Sequence, residues 1–359
     1  MDVGLTAERL ALRDTVRAVL RAECPPDAAR QASEFPEDDP ERWRTMWKTF
    51  VDLGWTELAA DDADGEFGPV ELTLVLEECG AAIAPVPLLS SVGLAAGALR
   101  AAGREICEVL AEIASGVVAT LAVHPPDARL PGSALTLRDG RLRGRAVAVP
   151  NAARAELIVT LADADDRGVV AAVVRAGDGV TVVTGESTDP AQPVADVVID
   201  AAPVAVSPVQ SVECALAAPL VAVAADLIGV AAAALQRSVE HAKTRRQFGS
   251  PIGAFQGVKH ALADNYVSLE RARSLTYAAA AGLGKPDLDW TTAALAKAAA
   301  ADAASACART MVQVHGALGQ TWEHDAHLYV RHAWQGAALL GDSRALYHEV
   351  GRRFATGAK

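Results

Sequence analysis

No glycine-rich Rossmann or P-loop fingerprint occurs in the 359 residues, which weighs against a nicotinamide or nucleoside-triphosphate site. Cysteine is sparse and irregular: Cys24, Cys79, Cys107, Cys214 and Cys307 are odd in number and show no Cys-x-x-Cys spacing. That pattern offers no disulfide framework and fits a reducing cytosol. Positive charge is short as well. With 33 Lys and Arg against 45 Asp and Glu, the formal net charge is −12, without the clustered cations that a nucleic-acid surface needs. The opening Met1-Asp2-Val3-Gly4-Leu5-Thr6 has no basic region followed by an apolar one, so no signal peptide is expected and the chain reads as cytoplasmic. The apolar run Ala215 to Leu235 is largely Ala, with Pro219 near its start and Asp226 in its middle. It reads as a buried bundle helix rather than a membrane span.

What the chain does have is core-forming material, 51% hydrophobic, arranged in three compositional blocks. Residues 1–115 read as an N-terminal helical domain. Leu5 to Ala22 has helical spacing and stops at Pro25-Pro26; Pro40-Glu41-Arg42-Trp43 starts a second helix with Trp43, Trp47 and Val51 on one face. Asp61-Asp62-Ala63-Asp64-Gly65 is a solvated loop, and Val70 to Ala82 and Leu88 to Leu99 are further helices around Pro85 and Pro87. Residues 116–205 switch to short β-branched runs: Val117 to Val123, Ala134 to Arg138, Arg141 to Val149, Leu157 to Leu161, Val169 to Val174 and Val180 to Val183. Asp139-Gly140 between two of them is a hairpin signal, and the set predicts a small barrel or sandwich. Residues 206–359 return to helices, Val212 to Thr244, Phe255 to Leu283, Trp290 to Val314 and Glu323 to Phe354, a four-helix bundle.

Two strings in the last block carry chemistry. Arg245-Arg246-Gln247-Phe248-Gly249-Ser250-Pro251-Ile252-Gly253-Ala254-Phe255-Gln256 lies where one long helix stops on a Gly-then-Pro signal and the next begins. Arginines, an amide and an aromatic there can hold a phosphate and stack on a planar ring. Gln313-Val314-His315-Gly316-Ala317-Leu318-Gly319-Gln320 follows the third helix, and its glycines let a ligand approach the backbone. The first string resembles the Arg-x-x-Phe-Gly, then Phe-Gln, signature of flavin-dependent acyl-CoA dehydrogenases, and the second resembles that family's Gln-x-x-Gly-Gly-x-Gly loop. The resemblance implies an acyl-CoA dehydrogenase fold, FAD as cofactor and an acyl-CoA substrate. It also implies that both strings embrace the adenosine and pyrophosphate of a flavin bound mainly by a neighbouring subunit. Arg245 would then pair with the pyrophosphate, Phe248 would pack near the flavin and Gln313 would hydrogen-bond it. Gln247, Ile252, Gln256, Gly316 and Ala317 would complete the contact, Ala317 standing where the family has its second glycine. His315, His324, His327 and His332 invite a metal reading, but the set has no cysteine, so solvated or capping histidines are expected and no metal; Asp325 reads as a helix cap.

The same resemblance exposes losses. Removing the α-proton beside a thioester carbonyl needs a carboxylate base. Of the two places where family members put it, one is Leu340 here and the other is Pro219. In the middle block the family's ring-holding Thr-Glu-Pro-x-x-Gly-Ser-Asp loop matches only Thr120-Leu121-Ala122-Val123-His124-Pro125-Pro126 loosely. Its Trp-Ile-Thr-Asn string has become Val147-Ala148-Val149-Pro150-Asn151-Ala152. What holds a subunit's own flavin is missing, and what reaches a neighbour's flavin remains. That combination resembles the non-base subunit of actinobacterial α2β2 acyl-CoA dehydrogenases acting on steroid side-chain CoA thioesters, whose partner is a catalytic subunit. A self-sufficient homomer would need an unusual base. Glu213, shortly before Pro219, is the acid close in sequence, but a surface acid at a helix start, where the dipole favours it, is the simpler reading. A flavin-free scaffold binding an acyl-CoA or a partner is the third alternative; nothing in a scaffold needs the corner from Arg245 to Gln256.

Overall fold

The computed structural model describes residues 6–25, 30–31, 41–60, 68–165, 167–285 and 290–357. The loop expected at Asp61 to Gly65, and Leu5, Pro26 and Pro40, lie outside them. Among the described residues five helices come first. α1 (Ala7–Glu23) starts at Thr6, whose hydroxyl accepts from the Arg9 N–H. α2 (Arg42–Asp52) buries Trp43, Met46, Trp47 and Phe50 at helical spacing. α3 (Pro69–Ala82) and α4 (Leu89–Leu99) are apolar and buried, and the short α5 (Cys107–Ala114) was not foreseen from the sequence.

Eight strands follow: β1 (Ala119–Ala122), β2 (Leu135–Arg138), β3 (Arg141–Pro150), β4 (Leu157–Ala164), β5 (Gly168–Arg175), β6 (Val180–Thr184), β7 (Val194–Ala201) and β8 (Ala205–Pro208). They form one mixed sheet in the order β6-β7-β3-β2-β4-β5-β8, with β1 pairing parallel to β4. The Asp139-Gly140 hairpin forms as expected, with both residues at positive φ and Arg138 opposite Arg141. Leu135, Leu142, Ile158, Val170 and Val197 pack into a core belonging to the sheet alone. Leu157, Val159, Leu161 and Val173 join the main core with the helices. β4 is therefore buried on both faces and reads as a nearly continuous apolar run. β7 and β8 were missed, and β8 carries the sheet past the boundary expected at 205, pairing with β5 from Ala205 to Pro208.

The C-terminal bundle consists of α6 (Val212–Thr244), α7 (Gln256–Gly282), α8 (Trp290–His315), α9 (Ala326–Ala338) and α10 (Ser343–Thr356). α6 is long and apolar enough to cross a membrane by length and composition, but 89% of that window is buried inside the fold. α3 crosses it backbone to backbone. A methyl at Gly80 would lie 2.0 Å from the Asp226 carbonyl oxygen, and one at Gly229 would lie 1.9 Å from that of Glu77. The helix expected to run from Glu323 to Phe354 is broken in two. Leu340 and Gly341 adopt positive φ, and Asp342 caps α10 by accepting from the Ala345 N–H at 2.8 Å. The fully buried Lys297 of α8 donates to the freed carbonyls of Ala337, at 2.6 Å, and Gly341. Burial pulls its ammonium down to about 7.

Candidate functional site

α6 ends where the Arg245 N–H bonds to the His241 carbonyl, and the chain then makes a tight two-residue ribbon, Gln247 opposite Ser250 and Arg246 opposite Pro251. The Ile252 N–H closes it on the Arg245 carbonyl at 2.8 Å. Phe248, at φ +51, and Gly249, at φ +79, form its tip. Phe248 is 91% exposed and meets Phe255 edge-on, with ring centres 6.1 Å apart. Arg245, Gln247 and Gln256 are exposed and Ile252 is half-buried. The turn leaves an aromatic face, amides and arginines exposed.

The second string follows directly beside it. Gln313 and Ala317 are exposed, and Gly316 turns at φ +62 with open space where a side chain would project. Three imidazoles join the two segments: His241 stacks on His315 at 4.1 Å, and His315 meets His324 at 4.5 Å. His315 Nδ1 donates to the Met311 carbonyl at 2.7 Å, while His324 Nδ1 accepts from the Ala326 N–H. Burial, and then the neighbouring His315, hold the His241 and His324 rings below the usual imidazole range. They line a cavity of about 620 Å³ between α1, α3 and the bundle. Asp325 starts α9 without capping it; its carboxylate pairs instead with Arg30 and, at 3.0 Å, with Arg237. Here the expected cap was wrong, because two nearby guanidiniums outcompete one N–H.

A second cavity, of about 520 Å³, opens between the sheet and α9. At the ring-loop positions it is lined by His124, Val147, Ala148 and Pro150, which offer neither the hydroxyls nor the tryptophan looked for there. Burial, with the Lys297 charge behind it, pushes His124 down to about 4. Leu339 lines this cavity, whereas Leu340, at the first base position, is 1% exposed in the main core. Pro219, at the other, is buried within α6 near Gly97 of α4, where an added methyl would sit 3.4 Å from the proline ring. Glu213 lines neither cavity and pairs with Arg353 at 2.7 Å. Burial pushes its carboxyl up, but the Arg353 guanidinium and the helix-start donors outweigh burial and hold it below the usual range.

The sequence reading missed one cluster entirely. His332 is neither solvated nor a cap: it is buried between Asp189, which follows β6, and Asp226 of α6, with Nδ1 2.6 Å and Nε2 2.8 Å from the two carboxylates. Burial disfavours its charge, yet the two carboxylates prevail and raise the imidazole well above its ordinary value. All three residues line the second cavity. The signal was Asp226, an acid inside an apolar helix, which needs a buried partner. His327 stacks on Trp322 at 4.3 Å. Among the described residues no group of three His, Cys, Asp or Glu has the arrangement of a metal site.

Comparison with known proteins identifies the family. Residues 6–117 match the family description "Acyl-CoA dehydrogenase, N-terminal domain" and residues 215–354 match "Acyl-CoA dehydrogenase, C-terminal domain". The chain is similar to acyl-CoA dehydrogenase IpdE2 of Mycolicibacterium smegmatis, 31% identical over 95% of this chain and 96% of the relative. Among solved structures it is similar to the ChsE4-ChsE5 complex from Mycobacterium tuberculosis, with 28% identity, 99% of each chain covered and a TM-score of 0.86. It is also similar to the Tcur3481-Tcur3483 steroid ACAD, G363A variant, with 26% identity, 99% of each chain covered and a TM-score of 0.88.

Proposed function

The chain belongs to the acyl-CoA dehydrogenase family of FAD-dependent oxidoreductases, and from that premise we propose that it is the subunit without a base in a heteromeric enzyme that desaturates a bulky, steroid-type acyl-CoA thioester. One contrast carries this reading. The outward-facing corner of Arg245, Gln247, Phe248, Ile252 and Gln256 stands beside Gln313, Gly316 and Ala317, fully formed and open. The inward-facing cavity at its own β-domain has no ring-holding hydroxyl or tryptophan at Val147 to Asn151, and the two base positions are Leu340 and Pro219, both buried outside it. The residues present therefore fit the adenosine–diphosphate half of FAD and do not fit the ring half. Arg245 would pair with the diphosphate, Phe248 would pack near the flavin and Gln313 would hydrogen-bond it, while a catalytic partner subunit contributes the base and the ring pocket. When bound, FAD supplies the hydride acceptor. One solved neighbour is a complex of ChsE4 with ChsE5 and the steroid ACAD neighbour carries the pair Tcur3481-Tcur3483, which supports a heteromer. A cytoplasmic setting goes with this reading.

Two measurements test it. Arg245→Ala should lower flavin content of the co-produced complex without disturbing assembly, because a charged hydrogen bond to phosphate contributes ~1.5–3 kcal/mol. Unchanged flavin affinity would reduce Arg245 to a surface residue. Flavin absorbance per mass of a complex with two copies of each chain should give two flavins rather than four. One flavin per chain would show that this chain's own cavity binds a ring after all.

A further inference from the structure

The three adjoining imidazoles have no part in the function proposed above, yet they lie beside its clamp. His241 lies in the last turn of α6, one turn before Arg245, and His315 ends α8 two residues after Gln313. Two long helices thus bring their C-terminal ends together beside the surface where a diphosphate is to bind. Helix C-termini carry partial negative charge, which repels an anion and favours imidazolium. Arg245 is the residue on which the first of these helices ends. We propose that the His241–His315–His324 ladder is a proton-linked part of the diphosphate clamp, so that docking of the dinucleotide phosphates at Arg245 is coupled to protonation of the ladder.

The surroundings set the direction. On α6, Arg237 and Arg245 oppose protonation, while Glu240 is occupied by Lys243. Asp325, before α9, favours it but is shared with Arg30 and Arg237. Across the cavity α1 presents Arg17 and Arg21, and α3 presents Glu78, which is tied to Arg17. Burial thus lowers the proton affinity of the His241 and His324 rings, and an arriving anion works against that lowering. Binding then takes up a proton, and binding that takes up a proton tightens as pH falls.

The inference rests on the clamp reading and is tested separately from it. In the deflavinated, co-produced complex, FAD affinity read by fluorescence quenching should be about tenfold tighter at pH 6 than at pH 8, since the diphosphate itself does not titrate there. Titration calorimetry in buffers of different ionisation enthalpy should register proton uptake. The double variant His241→Asn, His315→Asn should flatten the dependence; if that protein fails to assemble, His241→Asn alone should reduce it. Affinity that is independent of pH in the native complex, or an unchanged slope in the variants, overturns the ladder's role even where Arg245→Ala weakens binding. If Arg245→Ala has no effect, the clamp reading fails and the ladder proposal fails with it.

Discussion

Produced without a partner, the chain should show no acyl-CoA dehydrogenation above background, and turnover should appear only when a base-carrying subunit is co-produced. A positioned general base contributes roughly 10²–10⁴-fold to proton abstraction. Here Leu340 is sealed in the core, Pro219 has no proton acceptor, and Glu213 is held by Arg353 outside both cavities. In the active complex Glu213→Gln should leave kcat unchanged and at most loosen the α6–α10 contact through the lost ion pair. Steady-state kinetics on the lone chain and on both complexes decides the matter. Robust turnover by the lone protein, abolished by Glu213→Gln, would make it a self-sufficient enzyme with an unusual base.

Much of the fold could be read from local chemistry. α6 was bounded correctly at both ends because Ser211 caps its start and the Gly249–Pro251 turn forbids its continuation. The Asp139-Gly140 turn was legible because few other residue pairs accept two consecutive positive φ angles. β8 escaped because Ala205 to Pro208 is short and ends in proline, a pattern tolerated at the edge of a sheet and easily taken for a loop. The break between α9 and α10 escaped because apolar residues continue through Leu339 and Leu340; Gly341 followed by Asp342, a left-handed stop and then a cap, was the signal. The corner at Arg245 and the loop at Gln313 could be singled out as strings, but their adjacency is tertiary and rests on the imidazole contacts. The His332 cluster was illegible for the same reason: its Asp226 contact spans 106 residues.

That cluster should dominate the effect of mutation on stability. His332→Leu would leave Asp189 and Asp226 buried without their shared cation, and removing one partner of a buried ion pair costs ~3–5 kcal/mol. The thermal midpoint of the complex should fall by several degrees, with His332→Gln milder because an amide can still donate one hydrogen bond. The pH dependence follows from the raised imidazole. Its folded value lies well above the unfolded one of about 6.5. The unfolded chain therefore gives up this proton first as pH rises, and the stabilisation, complete below the unfolded value, declines until the folded value is passed. Lys297 works in the opposite sense. Its folded value is pulled down to about 7, so between there and its unfolded range the unfolded chain binds the extra proton and stability rises with pH. The raw stability curve mixes the two slopes, and the difference between native protein and His332→Gln isolates the imidazolium. That difference should be largest on the acidic side and shrink as pH rises into the alkaline range. A difference that does not vary with pH would mean that the imidazole is not held charged in the folded protein.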